Sequence, residues 1–198
     1  MSVEKYLKRI GINDLKTGVD GLFQLQYAHF LTVPYENIDI LLQKSISLQT
    51  EDIYKKVVIN GRGGYCFELN GLYAWLLRSL GYNIYEHLGR FLRGESGIPM
   101  GRHRIIQVIC DEGNYICDVG ASVNTPLAPI KIEYDVEQPQ YNQIFRLVKD
   151  DIFGNLLQRK IDNGDWENVF SFIDTPAYPS DYIAVNYFCQ YSPDSLYN

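Results

Sequence analysis

The run from Cys66 to Leu80 constrains this chain more than any other stretch. Leu69, Leu72, Tyr73, Leu76, Leu77 and Leu80 fall three and four residues apart. That spacing predicts a helix with one continuous apolar face, and Trp75 can widen it. Gly81 supplies the C-terminal stop. A glycine-rich turn, Gly61-Arg62-Gly63-Gly64, feeds straight into the helix. The fold must therefore bury one long helix whose first residue is a cysteine delivered by a sharp turn.

The sequence before that helix reads as helical and the sequence after it does not. Residues 3–10 form a short helix ended by Gly11. Asp20 is placed to cap a helix running to about Val33, where Pro34 stops it. Thr50, with Glu51 and Asp52 at the positive end of the helix dipole, starts another that ends near Asn60-Gly61. After Gly81 come short segments rich in Ile, Val, Tyr and Phe at 83–92, 103–110 and 115–119, then 141–149 and 155–160. Ile105–Cys110 and Tyr115–Val119 read as a hairpin around Asp111-Glu112-Gly113-Asn114. Asp150 to Gly154 joins the last two strands, and 161–168 is polar and turn-like. Helices first and strands second argue for an α+β fold of two packed parts, divided near Gly81–Asn83.

Charge and composition remove several classes of function. Eighteen Lys and Arg against twenty-four Asp and Glu leave a net charge of −6, the wrong sign for a general nucleic-acid binder. No apolar run reaches the roughly 18 residues of a membrane span. The first nine residues have no apolar core after their charges, so no signal peptide is expected. Cys66, Cys110, Cys117 and Cys189 show neither CxxC nor zinc spacing. They are expected as free thiols in a reducing cytoplasm, with no metal.

The chemistry concentrates at Cys66. At the first turn of a helix, unpaired N–H groups and the dipole favour a thiolate. The same N–H groups can hold an oxyanion formed when that thiolate attacks a carbonyl. A turn followed by a buried structural cysteine would give the same pattern. A phosphate loop is disfavoured, because its Gly-Lys-Ser/Thr ending is missing. A nucleophilic cysteine needs a base and the base needs an orienting group. Of His29, His87 and His103, only His103 has a candidate partner. It opens the segment running to Val108, and Asp118 sits among Ile116, Cys117 and Val119 on the returning strand, a setting for a buried, paired carboxylate. A turn centred between Glu112 and Gly113 would pair Asp118 with Gln107. Contact with His103 is expected to need 103 and 118 opposite each other, through a turn near Cys110–Asp111 or a bulge. Arg90, Arg93, Arg102 and Arg104 cluster along the base's strand, either as a phosphate-binding group or as solvated positions.

These motifs resemble the arylamine N-acetyltransferases. Arg62-Gly63-Gly64-Tyr65-Cys66-Phe67-Glu68-Leu69-Asn70 is similar to that family's Arg-Gly-Gly-aromatic-Cys-x-Glu-x-Asn signature. Pro34-Tyr35-Glu36-Asn37-Ile38-Asp39 resembles its Pro-Phe-Glu-Asn-Leu-Asp segment. His103, then Asp118-Val119-Gly120 with Pro126 following, matches its order and spacing. Asn186-Tyr187 and Ser192-Pro193-Asp194-Ser195 resemble its Asn-aromatic and Ser-Pro-x-Ser stretch. The resemblance runs from about residue 3 to Asn198.

The resemblance implies a helical domain at 1–82 carrying the nucleophile and a mainly antiparallel β-barrel at 83–198 carrying His and Asp. It implies a cysteine-protease-like triad of Cys66, His103 and Asp118, with Tyr35, Tyr65 and Phe67 as walls for the acceptor. It implies ping-pong transfer of an acetyl group from acetyl-CoA, through a thioester on Cys66, to an arylamine, hydrazine or hydroxylamine nitrogen. Acetyl-CoA would be a substrate, with no tightly bound cofactor; a homo-oligomer is left open. Three departures accompany it. The chain stops about where a third domain is expected, Ala121-Ser122 replaces Phe-Gly, and Met100-Gly101-Arg102 replaces a threonine-containing lead. They keep two other readings in view, a cysteine-dependent amide synthase or hydrolase and a non-catalytic relative.

Overall fold

The computed structural model describes residues 1–121 and 125–197. Ser122, one of the departures above, and Asn198 lie outside the described residues.

Five helices precede the first strand. Helix α1, Val3–Arg9, is capped by Ser2, whose Oγ accepts from the Lys5 N–H at 3.3 Å. Helix α2, Gly18–Thr32, starts one turn earlier than expected, after Thr17, so Asp20 lies in its first turn rather than at its cap. There the carboxylate still faces the positive end of the dipole. The short α3, Ile38–Leu41, was not foreseen. Helix α4, Thr50–Tyr54, runs on into a π-helical segment, Lys55–Ile59, and stops at Asn60. Helix α5, Cys66–Ser79, buries Leu69, Leu72, Tyr73, Leu76 and Leu77 completely. Each such leucine contributes roughly 2 kcal/mol by leaving water. Trp75 joins the packing by stacking on Tyr6 at 6.4 Å.

Eight strands follow among the described residues: β1 Asn83–Phe91, β2 His103–Cys110, β3 Gly113–Cys117, β4 Ile130–Lys131, β5 Gln138–Gln140, β6 Gln143–Asp150, β7 Gly154–Lys160 and β8 Trp166–Phe172. They form one antiparallel sheet in the order β4-β3-β2-β1-β8-β7-β6-β5, curled into a nearly closed barrel. Residues 166–168, expected in a turn, are the start of β8. Helix α6, Asp181–Tyr191, ends the chain's regular structure. It sets Tyr182 and Cys189 against Ile40, Tyr65 and Phe67.

Strand β2 is buried on both faces for most of its length. Ile106 and Val108 join the core that holds Leu69, Leu72, Tyr73 and Leu76 of α5. Ile105 turns the other way, into the barrel interior with Ile116, Phe145, Leu157 and Phe170. Period-2 alternation thus sends His103 to the barrel side and Arg104 to the helix side.

The β2–β3 register is neither of the two weighed from sequence. Cys110 pairs with Gly113 and Ile106 with Cys117, so the turn is only Asp111-Glu112. Continuing this ladder would set Ile105 against Asp118, making His103 and Asp118 diagonal neighbours on one face. Diagonal side chains remain within reach of each other when they are long or aromatic. No exact opposition and no bulge is needed.

Candidate functional site

The turn before Cys66 is held by a second segment of chain. The Glu36 N–H donates to the Gly64 carbonyl at 2.9 Å, and the Gly64 N–H to the Pro34 carbonyl at 3.3 Å. The backbones meet so closely that a Cβ on Gly63 would stand 1.9 Å from the Pro34 oxygen. Only glycine permits that approach. Arg62 Nη2 pairs with Glu36 at 2.8 Å and with Asp39 at 3.1 Å. Lys56 Nζ bridges Asp39 and Glu68, each at 2.8 Å. Burial would lift the Asp39 carboxyl, but Lys56 and Arg62 hold it below the usual carboxylate range. For Glu68 burial prevails over Lys56, and its pKa is raised. Glu68 Oε2 accepts the Tyr65 N–H at 3.1 Å. That contact caps α5 and fixes where its first residue, Cys66, begins.

His103 meets Cys66 from the barrel side. Its Nε2 lies 2.6 Å from Asp118 Oδ2, and its ring lines the same cleft as the Cys66 side chain, whose nearness favours the charged imidazole. With Nε2 engaged by Asp118, Nδ1 is the nitrogen left for the sulfur. The Cys66 thiol also lies 3.7 Å from the Arg102 carbonyl. Phe91 and Phe170 flank the imidazole at 5.8 and 5.7 Å. Burial works against a charged imidazole, but Asp118 and then Cys66 outweigh it, and the His103 pKa is pushed up to about 10. Burial would likewise raise the Asp118 carboxyl. His103, Asn70 and the Gly120 N–H overcome this and hold it below its ordinary value.

Asn70 has a larger part here than its place in the sequence motif reveals. One turn after Cys66 on α5, its Nδ2 donates to Asp118 Oδ1 at 2.8 Å and to the Arg104 carbonyl at 2.6 Å. Its Oδ1 accepts the Val119 N–H at 2.8 Å. A single amide therefore ties the helix of the thiol to both strands of the other two groups. Gln26 on α2 adds a fourth element: its Oε1 accepts the Asp118 N–H at 3.3 Å. Nothing in local sequence marks Gln26. Asn70 had a signal, the i, i+4 spacing from Cys66 on an otherwise apolar face.

The groups converge on a cleft of about 220 Å³ lined by Tyr35, Cys66, Phe91, His103, Ala121 and Tyr197, with Arg93, Glu95 and Arg102 at its charged side. Tyr35, expected as a wall for the acceptor, lines this cleft. Tyr65 and Phe67 are not among the lining residues; both are fully buried against Tyr182 and Cys189. Helical geometry explains this, because residues adjacent to Cys66 point away from the face that Cys66 presents. The four arginines do not act as one group. Arg93 and Arg102 reach the cleft, where Arg102 pairs with Glu95. Arg90 donates to the Pro99 carbonyl. Arg104 is buried, paired with Glu86 and 4.6 Å above the Tyr182 ring. His29 sits in the helical core, its pKa lowered to about 3 by burial and, less, by Arg9. His87 is engaged by Gln107 at 2.9 Å and the Thr175 carbonyl at 3.2 Å. Among the described residues no group of three or more His, Cys, Asp or Glu is arranged to hold a metal ion, and no helix is long and apolar enough to cross a membrane.

A cysteine at a helix start, facing an imidazole and a carboxylate carried on a barrel, defines a class that comparison with known proteins makes specific. The N-acetyltransferase family model matches residues 18–198. The arylamine N-acetyltransferase of Escherichia coli (strain K12) is 33% identical over 178 residues, covering 89% of this chain and 63% of that protein. The solved arylamine N-acetyltransferase of Salmonella typhimurium matches with a TM-score of 0.93 at 29% identity, over 98% of this chain and 71% of the other. The Mycobacterium marinum enzyme in complex with CoA gives 0.92 at 29% identity, over 99% and 74%. The chain belongs to the arylamine N-acetyltransferase family. It spans 63% of the length of the E. coli relative.

Proposed function

We propose that this chain transfers an acetyl group from acetyl-CoA to an arylamine, hydrazine or hydroxylamine nitrogen by a ping-pong route through Cys66. His103 takes the thiol proton, and the resulting thiolate attacks the acetyl carbonyl. As the carbon–sulfur bond to CoA breaks, CoA leaves as a thiol with the proton that His103 returns. In the second half the amine attacks the thioester carbonyl and His103 accepts a proton from the nitrogen. The amide departs and Cys66 is regenerated. Asp118 orients the imidazole and offsets its charge. N–H groups in the first turn of α5 lack intrahelical partners and would receive the developing oxyanion. Tyr35 would line the acceptor's side of the cleft. Residues 1–82 would act as the domain of the nucleophile and 83–198 as the domain of the base. A reducing, cytoplasmic setting suits a reaction that needs Cys66 as a thiol.

The observation that carries this reading is the His103 imidazole held by Asp118 at 2.6 Å and lining one cleft with the Cys66 side chain. Incubation with acetyl-CoA followed by intact-mass and peptide analysis tests it. One acetyl group on Cys66, discharged by adding an arylamine, is the expected result. A folded protein that takes up no acetyl group would overturn the proposal. Discharge to water at a rate indifferent to amines would make the chain a hydrolase instead.

A further inference from the structure

Where the chain leaves β3, the N–H groups of Asp118, Val119 and Gly120 lie beyond the last ladder pair, Ile106 with Cys117. Side chains serve them instead. Asn70 Oδ1 accepts the Val119 N–H, and Asp118 Oδ1 accepts the Gly120 N–H at 2.9 Å. The Asp118 N–H is held by Gln26 of α2. Gln26 has a second bond with no part in the steps above: its Nε2 donates to the Pro126 carbonyl at 3.3 Å. Asp118 and Pro126 bound the segment that brings Gly120 and Ala121 to the cleft. One amide therefore grips both ends of that segment.

Gln26 is fully buried, and Pro126 is buried beside it. Burying an amide costs free energy unless its oxygen and nitrogen both find partners. An apolar side chain at this point of α2 would fill the space without that demand. Both partners of Gln26 are backbone groups, so what the amide fixes is the path of the chain. Asp118 has a short side chain, and a shift of its backbone would carry the carboxylate away from His103 Nε2, now 2.6 Å off. Misplacing a reacting group by about 1 Å can cost on the order of 100-fold in rate. The loss would reach the sulfur through the imidazole. Asp118 and Cys66 favour its charged form, Phe91 and Phe170 flank it, and Arg102 at the charged side of the cleft is engaged by Glu95. With Asp118 displaced, the charged imidazole is less favoured and the Cys66 thiolate forms at higher pH.

We propose that Gln26 is a positioning residue for the reaction, aiming Asp118 at His103 from a helix that contributes no reacting group. This rests on the reading of Cys66, His103 and Asp118 given above. The test follows Cys66 alkylation by iodoacetamide against pH, and its acetylation by acetyl-CoA, in Gln26→Met, Gln26→Asn and Gln26→Glu. Methionine keeps the length and loses both bonds; asparagine is one methylene too short to reach both ends. In each of these two, half-maximal alkylation should move up by about one pH unit, and acetylation at pH 7 should fall roughly 10-fold or more. Glutamate keeps an oxygen for the Asp118 N–H, and its neutral form also donates to Pro126. It should restore the alkylation profile and bring acetylation to within about threefold of the unmodified protein. A merely structural glutamine would lower the melting temperature and leave the profile of the folded protein where it was. An unmoved profile in folded Gln26→Met or Gln26→Asn would overturn the inference, as would a shift in Gln26→Glu as large as in Gln26→Met. Failure of the unmodified Cys66 to acetylate, with these shifts intact, would defeat the transferase reading alone.

Discussion

Asn70 donates to Asp118 Oδ1 at 2.8 Å from the same helix that begins with Cys66. The amide and the thiol are one turn apart on α5, so the distance between the Cys66 thiol and the Asp118 carboxylate is fixed by a rigid element rather than by loops. Asn70→Ala would remove a donor from a buried carboxylate and leave the Val119 N–H and the Arg104 carbonyl without their partner. Hydrogen bonds to charged groups contribute about 1.5–3 kcal/mol, which corresponds to a loss of roughly 10- to 100-fold. The acetylation rate of Cys66 by acetyl-CoA should fall by that much. A rate within twofold of the unmodified protein would show that Asp118 is held well enough by Gly120 and His103 alone.

Gly120→Ala tests the same junction from the strand side. A Cβ there would stand 2.7 Å from both Asn70 Nδ2 and the Cys66 Cα. Overpacking of this kind costs about 1–3 kcal/mol. Moving the helix start off the Asp118 segment should abolish acetylation while the protein remains folded. A thermal melt and acetylation measured on one preparation distinguish loss of the site from loss of the fold.

Arg104 ties the helix side of β2 to β1. Its Nε pairs with Glu86, whose side chain is 2% exposed, and its Nη1 donates to the Phe67 carbonyl at 3.3 Å. Arg78 reaches Glu86 at 2.7 Å from a half-exposed position. Arg104→Met should lower stability by about 3 kcal/mol, because a buried carboxylate loses its better partner. Adding Glu86→Gln should recover part of that loss. Urea denaturation midpoints of the single and double variants measure it.

Two buried histidines should oppose each other in the pH dependence of stability. His103, with a folded pKa near 10 against about 6.5 unfolded, stabilises the fold fully below pH 6.5. That contribution is lost as pH rises towards 10. His29, with a folded value near 3, does the reverse. It is buried neutral among Tyr6 and Tyr73 with Arg9 near it, so the unfolded chain gains its proton first and stability falls from about pH 6.5 downward. His29→Leu should flatten the acid limb of melting temperature against pH, and His103→Gln the alkaline limb. Parallel curves for all three proteins would contradict the assignment.

The sequence carried the helix of Cys66 and the extent of β2 because both have strong, regular patterns. Residues 103–110 form a strand with the expected ends, since apolar side chains fill both of its faces. Helix α6 escaped notice because its buried positions include Asn186 and Gln190, polar residues that bond to the Ile46 backbone and blur any apolar face. Strand β5 is three residues long, contains Pro139 and lies at the end of the sheet, where proline is tolerated. Cys66, His103 and Asp118, singled out by residue type and order, come together in the structure. Their support could not be read in this way, because the hydrogen bonds of Asn70 and Gln26 to the strand segments join residues between 34 and 92 positions apart. The β2–β3 register turned on two residues of turn length, which composition alone does not set.

The most direct measurement of the central claim is the rate of Cys66 alkylation by iodoacetamide between pH 5 and 9, in the unmodified protein and in His103→Gln. An imidazole kept charged beside the sulfur should make Cys66 react at pH 6 roughly 10- to 100-fold faster than an ordinary thiol. His103→Gln should remove that excess while the protein stays folded. Identical profiles for the two proteins would mean that His103 does not serve the sulfur, and the account of the site would fail.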